Sequence, residues 1–172
     1  MHSARITIRE EQSNDVAAIR RVILEAFDSA AEADLVDKLR ANGKFELSLV
    51  AEVDRQVVGH ILFTGVHIEK ATPSPRALGL APLAVLKEFQ RKGVGSALMR
   101  ASLERCREMG HDAIVVVEHP EYYPKFGFLP ASRYGLRCEY EVPEDVFMAL
   151  ELRAESLLGV RGLVRYQPEF GE

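Results

Sequence analysis

Two apolar runs, "LGLAPLAVL" from Leu78 to Leu86 and "AIVVVEH" from Ala113 to His119, bracket one amphipathic stretch. This arrangement constrains the chain more than any other feature in it. The runs are short and nearly continuous, as expected of strands buried on both faces. Between them, residues 96 to 109 place Ala97, Leu98 and Ala101 on one side and Ser96, Arg100, Glu104, Arg107 and Glu108 on the other, with Gly110 as the stop. That is the pattern of an amphipathic helix. Strand, crossover helix and strand in this order predict a parallel pair, so the fold class is α/β.

The flanking segments read less uniformly. "ARITIREE" alternates as a short strand, and "SNDVAAIRRVILEAF" opens with Ser13, Asn14 and Asp15 as cap candidates before apolar residues at helical spacing. "EADLVDKLRANG" predicts a second helix, carried by Leu35 and Leu39 and stopped by Asn42-Gly43. Leu47 to Val53 and Val57 to Ile68 flank the link Asp54-Arg55-Gln56 as a hairpin. In the last third only "VFMALEL" reads clearly as a strand. No repeat, low-complexity tract or linker divides the 172 residues, which predicts one domain over 1–172.

Charge and cysteine usage narrow the partners. A net charge of −4 argues against a general nucleic-acid binder. Cys106 and Cys138 lack the spacing of a zinc site or a disulfide framework, so no metal is expected. "MHSARITIRE" lacks the apolar core of a signal peptide, and no run approaches the ~20 apolar residues of a membrane span. The expectation is a cytoplasmic protein without membrane or nucleic-acid partners.

The junction "QRKGVGSALMR", Gln90 to Arg100, follows the first buried run and opens the helix. The first turn of a helix leaves backbone N–H groups without intrahelical partners and carries the positive end of the helix dipole. Gly93 and Gly95 take away side chains that would shield that backbone and allow conformations closed to other residues. Arg91 and Lys92 add two cations. Together these features predict a phosphate or pyrophosphate site at the carboxyl end of a strand. A dinucleotide-binding fingerprint is disfavoured, because Leu98 stands where its third glycine would be, and a Walker-type ending is absent.

These residues resemble a known family. "LAPLAVLKEFQRKGVGSALM" is similar to the acyl-CoA-binding motif of the GNAT N-acetyltransferase superfamily, whose form Gln/Arg-x-x-Gly-x-Gly/Ala stands here as Gln90, Arg91, Lys92, Gly93, Val94 and Gly95. "EYYPKFGF", from Glu121 to Phe128, resembles the family's Tyr-x-x-aliphatic-Gly-Phe element, with Phe126 at the aliphatic place. "PEYYPKFGF" and "GVRGLVRYQPEF" look like the YhbS-like acyltransferase branch.

The resemblance implies a mixed, mostly antiparallel sheet of about seven strands flanked by helices and splayed between strands 4 and 5. It implies acetyl-CoA as cosubstrate, its pantetheine amides on backbone groups of Leu83, Ala84 and Val85 and its pyrophosphate on Gln90, Arg91, Lys92, Gly93, Val94, Gly95 and Ser96. The partners are then acetyl-CoA and an unidentified amine acceptor, and a homodimer is compatible with them. Pro82, which donates no ladder hydrogen bond, could help end the strand pairing or could mark an ordinary bulge.

Acetyl transfer needs a neutral amine, a donor for the thioester oxyanion and a proton for the departing thiolate. By resemblance, the Val85 N–H is the oxyanion donor and Tyr123 the acid, with Tyr122 its competitor. Glu118 and His119, at the end of the second apolar run, are the candidate bases, beside a water relay or a purely structural role for both. His60 reads as a half-buried strand residue. His67 and Glu69 are candidates for an acceptor pocket, and Cys106 reads as core. The expected function is an N-acetyltransferase acting on a primary amine of a small molecule or protein. The alternatives are a non-catalytic acyl-CoA sensor and an interaction module on the same fold.

Overall fold

The structure is a computed structural model that describes residues 5–171. The amino-terminal stretch read above for a signal sequence begins in residues 1–4, outside the described ones. The chain divides into two compact units, Met1–Phe63 with Ala81–Glu104, and Thr64–Leu80 with Arg105–Glu172.

The first unit starts with β1 (Thr7–Glu10), α1 (Val16–Ala26), α2 (Ala31–Ala41) and β2 (Phe45–Val53), followed by most of β3 (Gln56–Ile68). β1 runs antiparallel to β2 with Thr7 opposite Glu52, and the strand order is β1-β2-β3-β4, where β4 is Ala77–Val85. Between β2 and β3 only Asp54 and Arg55 remain as a loop, one residue shorter than expected. Both have positive φ, 50° and 65°, as a hairpin turn that follows strand twist requires. None of the three cap candidates caps α1 with its side chain: Asp15 precedes the helix but reaches back across the 3₁₀ turn Ser13–Asp15, accepting the Gln12 N–H at 2.6 Å and two guanidinium bonds from Arg9 at 2.7 and 2.9 Å. Ile19, Val22 and Ile23 of α1 are buried at the spacing the sequence shows, whereas in α2 Ala33, Val36 and Leu39 are buried and Leu35, expected to carry that helix, is only half-buried.

Helix α3 (Val94–Glu108) follows β4. Its buried face is Leu98, Met99, Ser102, Leu103 and Cys106, whereas Ala97 and Ala101 are only half-buried, so the apolar stripe lies slightly round from where the sequence places it. Ser102 fits that face because its hydroxyl donates to the Met99 carbonyl at 3.0 Å.

In the second unit β4 pairs in parallel with β5 (Ala113–Val117), through Ala77 opposite Ala113, Leu78 opposite Ile114 and Gly79 opposite Val115. The pairing stops there, although β4 continues to Val85. This is the expected splay. β5 is antiparallel to β8 (Phe147–Glu151), which pairs with β6 (Leu129–Pro130). β9 (Gly162–Arg165) lies antiparallel to the end of β3 and parallel to β7 (Leu136–Cys138), a second parallel pair that the sequence reading does not contain. Seven strands have four or more residues, and β6 and β7 are the two short ones. Ile68, Val115, Leu136, Phe147, Leu157 and Val164 belong to one buried apolar cluster of this unit.

Candidate active site

At the carboxyl end of β4 the chain turns under close control. The Leu86 N–H donates to the Val58 carbonyl at 2.9 Å and the Lys87 N–H to the Glu25 carboxylate at 3.1 Å, tying the turn to β3 and α1. After a 3₁₀ turn over Lys87–Phe89, the Gln90 side-chain N–H₂ donates back to the Val85 carbonyl at 3.0 Å. Arg91 then takes φ +61° and Gly93 φ +86°, on either side of Lys92. A backbone that alternates in this way turns successive N–H groups toward one point, the geometry of an anion nest.

Ala97 N–H makes the i→i−4 bond to the Gly93 carbonyl at 3.0 Å, so the N–H groups of Val94, Gly95 and Ser96 lie in the turn without intrahelical acceptors. Val94 is buried and anchors this end of α3.

Two expectations about the loop are refined. Gly95 sits within α3 and has no positive φ, so conformational freedom is needed only at Gly93. What Gly95 contributes is the absence of a side chain. The second left-handed residue is Arg91, which no sequence rule marks. The side chains of Arg91 and Lys92 are exposed, and Lys92 Nζ lies 5.7 Å from the centre of the Phe89 ring.

In the other unit, β5 leads into Glu118 and His119, both exposed and both left-handed at φ +92° and +51°. Two such non-glycine residues in succession store roughly 1–3 kcal/mol each. They are held by the bond from Glu118 N–H to the Val146 carbonyl at 2.9 Å and by the His119 carbonyl, which accepts the Tyr122 N–H at 2.9 Å. The Glu118 and His119 side chains lie 3.7 Å apart at the surface. The turn throws Tyr123 inward at the start of a 3₁₀ helix, Tyr123–Phe126, closed by left-handed Gly127.

Tyr123 is 4% exposed, with its ring 5.2 Å from Tyr122 edge-on and 5.5 Å from Phe128. Tyr122 instead carries Lys125 Nζ at 4.2 Å over its face. Burial, helped by Tyr122 and the Glu118 charge, pushes the Tyr123 phenol above its ordinary value. It is therefore a group that keeps its proton.

Other candidates are placed elsewhere. His60 is fully buried at 0% exposure, not half-buried, because β3 is covered on both faces there. Its Nε2 is 2.9 Å from the Ser48 hydroxyl, which also meets the Glu11 carboxylate, and Arg40 grips that carboxylate at 2.9 and 3.1 Å. Burial pushes the imidazole down to about 4, so it is neutral near pH 7. Burial pushes the Glu11 carboxyl up, but the bonds from Arg40 and Ser48 outweigh it and the net shift is down. No sequence pattern marks this network, since Glu11 follows β1 and Arg40, Ser48 and His60 come from α2, β2 and β3.

His67 is exposed opposite Arg165, and Glu69 is bound by the Arg165 guanidinium. The Cys106 thiol is buried and pushed up to about 12, a core residue. Among the described residues no helix is long and apolar enough to cross a membrane.

The family follows from comparison with known proteins. The family model for the GNAT acetyltransferases matches residues 14–128. The chain belongs to the GNAT acetyltransferase family. It is 35% identical over 164 residues to the uncharacterized N-acetyltransferase YhbS of Escherichia coli K12, covering 95% of this chain and 97% of that one. It is 39% identical over 142 residues to YjhQ of the same strain, also named an uncharacterized N-acetyltransferase, covering 81% and 78%.

Two crystal structures of family members are similar throughout. YhbS from Escherichia coli in complex with CoA has a TM-score of 0.95 at 34% identity, covering 100% of this chain and 95% of that one. A GNAT family acetyltransferase from Brucella melitensis in complex with acetyl-CoA has a TM-score of 0.81 at 33% identity, covering 98% and 99%. The likeness to YhbS agrees with the branch that the "PEYYPKFGF" and "GVRGLVRYQPEF" segments resemble.

Proposed function

We propose that residues 1–172 act as one acetyl-CoA-dependent N-acetyltransferase domain, which transfers the acetyl group to a primary amine of a small molecule or protein by direct attack in a ternary complex. The observation that carries this reading is the left-handed pair Arg91 and Gly93 at the mouth of α3, directly after a strand whose parallel pairing has already ended. The CoA and acetyl-CoA complexes of the two similar structures support the cosubstrate.

In this reading the backbone N–H groups of Arg91 to Ser96 hold the pyrophosphate, and Leu83, Ala84 and Val85 meet the pantetheine amides. Val85 lies on β4 beyond the end of its pairing with β5, and in this reading its N–H faces the thioester oxygen. The neutral amine attacks the thioester carbon, the C–S bond breaks, and Tyr123 gives its proton to the thiolate. The ammonium proton leaves through water, with exposed Glu118 as the acceptor at the surface. The raised Tyr123 phenol stays protonated across the working range, at the expense of acid strength. The place of action is the cytoplasm, and sedimentation of the chain decides whether it works as a homodimer.

The test is a screen of amine acceptors by thiol release, on the wild type, Tyr123→Phe and Tyr122→Phe. Tyr123→Phe should lower kcat by roughly 10–1,000-fold with little change in acetyl-CoA affinity, the range that one positioned acid contributes. Full activity in Tyr123→Phe removes it from the mechanism. CoA binding without turnover of any amine favours the sensor reading, and no CoA affinity favours the interaction module.

A further inference from the structure

The second unit holds a cavity of about 870 Å³ that the acetyl-transfer reading does not use. Lys70, Arg133, Arg137 and Arg161 line it, and no aspartate or glutamate does. That is unexpected in a chain of net charge −4. Among the described residues none of the four makes an ion pair, whereas neighbouring cations are matched: Arg153 to Asp112 at 3.0 Å and Arg165 to Glu69 and Glu139. The carboxylate of Glu151 is also used, accepting the Leu157 N–H at 2.9 Å.

The cations are gathered by a built arrangement of loops. Gly135, at φ +76°, accepts the Gly162 N–H on its carbonyl at 3.1 Å, joining the loop before β7 to the loop before β9. A Cβ on Gly135 would stand 2.8 Å from Arg161 Cγ, and one on Gly162 would stand 2.2 Å from the Glu69 carbonyl oxygen. Only glycine at both places lets the Arg161 stem and the Glu69-Lys70 turn come this close. Lys70 itself is left-handed, at φ +65°. Leu157 closes the floor, and Leu158, 76% exposed, stands on the rim.

All four residues are exposed, and like charges lining one cavity without an ion-pair partner repel one another, less so as salt rises. A bound anion removes the repulsion. Arginine forks match phosphate oxygens in pairs, and three of them with a lysine offer more donors than one carboxylate can use. The cavity lies at the amino ends of β7 and β9, and it shares Lys70, Leu158 and Arg161 with a neighbouring cavity at the amino ends of β4 and β5, beside Ala71 to Pro75 and Asp112. Ligands of open α/β sheets gather at the opposite, carboxyl ends. We infer that this cavity is a second ligand site, specific for a phosphorylated small molecule carrying at least two phosphate groups.

The probe is inorganic tripolyphosphate, titrated calorimetrically into the full chain at low and at physiological salt. The Arg137→Gln/Arg161→Gln double variant should bind it at least tenfold more weakly than the wild type. Gly93→Val, which disables the glycine loop, and Arg100→Gln/Arg107→Gln, which removes the same charge elsewhere, should stay within threefold. Equal weakening in the two double variants means diffuse charge attraction and overturns the proposal. Loss in Gly93→Val alone moves the binding to the loop and overturns it too, as does a wild type with no measurable affinity at low salt.

Discussion

The glycine loop and the arginine cavity both suit anions, yet they are made of opposite materials. The loop offers backbone N–H groups, and its exposed side chains Arg91 and Lys92 stand outside the hydrogen-bond frame that shapes it. The cavity offers side chains from three separate stretches, Lys70, Arg133 to Arg137 and Arg161, held by glycine contacts. A backbone site depends on dihedral angles and is broken by changing shape. A side-chain site depends on charge and is broken by changing charge.

The largest expected effect tests that difference at the loop. Gly93→Val forces a β-branched residue to φ +86°, a conformation such residues rarely hold, and the nest has to rearrange. Losing two hydrogen bonds to a charged ligand should weaken acetyl-CoA binding by about 100–1,000-fold, measured by calorimetry. Gly95→Ala separates shape from strain, because this position is helical: the variant should melt no lower than the wild type, yet lose affinity if its methyl meets the ligand. Lys92→Ala should change affinity by less than about threefold. A large loss in Lys92→Ala with none in Gly93→Val would make the loop a side-chain site after all.

A third region shows what matched charge does in the interior. Because His60 is held at about 4 in the folded chain and near 6.5 when unfolded, the unfolded state takes up a proton first as pH falls. Stability from this group is complete above about pH 6.5 and declines as pH drops toward 4, by up to about 3 kcal/mol. Glu11, held low, adds its own loss only below its unfolded value. Melting curves from pH 7 to 4 should therefore fall more steeply in the wild type than in His60→Gln. Parallel curves would show that the imidazole is solvated.

How much of this the sequence discloses depends on the material of each part. The parallel pair, its helix and the loop were legible because strand period, helix period and Gly-x-Gly all act between neighbours in the chain. The splay was legible only by resemblance, since nothing in "LGLAPLAVL" states that pairing ends at Gly79. The left-handed Arg91, Glu118 and His119 were illegible, because none of these residue types prefers such angles and the bond that holds Glu118 goes to the Val146 carbonyl, far along the chain. The Glu11-Arg40-Ser48-His60 network and the cavity were illegible for another reason. Their members lie tens of residues apart, and an exposed arginine reads the same whether it meets solvent or three other cations.

A smaller effect probes the cavity's frame. Gly135→Ala places a side chain at φ +76° and 2.8 Å from Arg161 Cγ, which should cost about 1–2 kcal/mol and lower the melting temperature by roughly 3–6 °C. Tripolyphosphate binding should fall with it, because Arg161 has to move, while acetyl-CoA binding stays. An unchanged melting temperature would mean that the loop pair tolerates a different packing.

The smallest effect concerns a side chain of the loop itself that helps shape the backbone site. Gln90 donates to the Val85 carbonyl, so it fixes the loop against the strand end without itself needing to touch a ligand. The position requires an N–H donor, and the family form of the motif, Gln or Arg, contains donors in both cases. Gln90→Ala should weaken acetyl-CoA binding by about 2–10-fold, the worth of one neutral hydrogen bond, with kcat at saturation unchanged. Gln90→Glu, of equal size but with only acceptors at neutral pH, should do at least as badly because it sets a carboxylate against a carbonyl oxygen. Gln90→Arg should restore affinity to within about twofold, since the guanidinium donates where the amide did. If Arg failed while Glu succeeded, the donor role would be wrong and the side chain would be acting on the ligand directly.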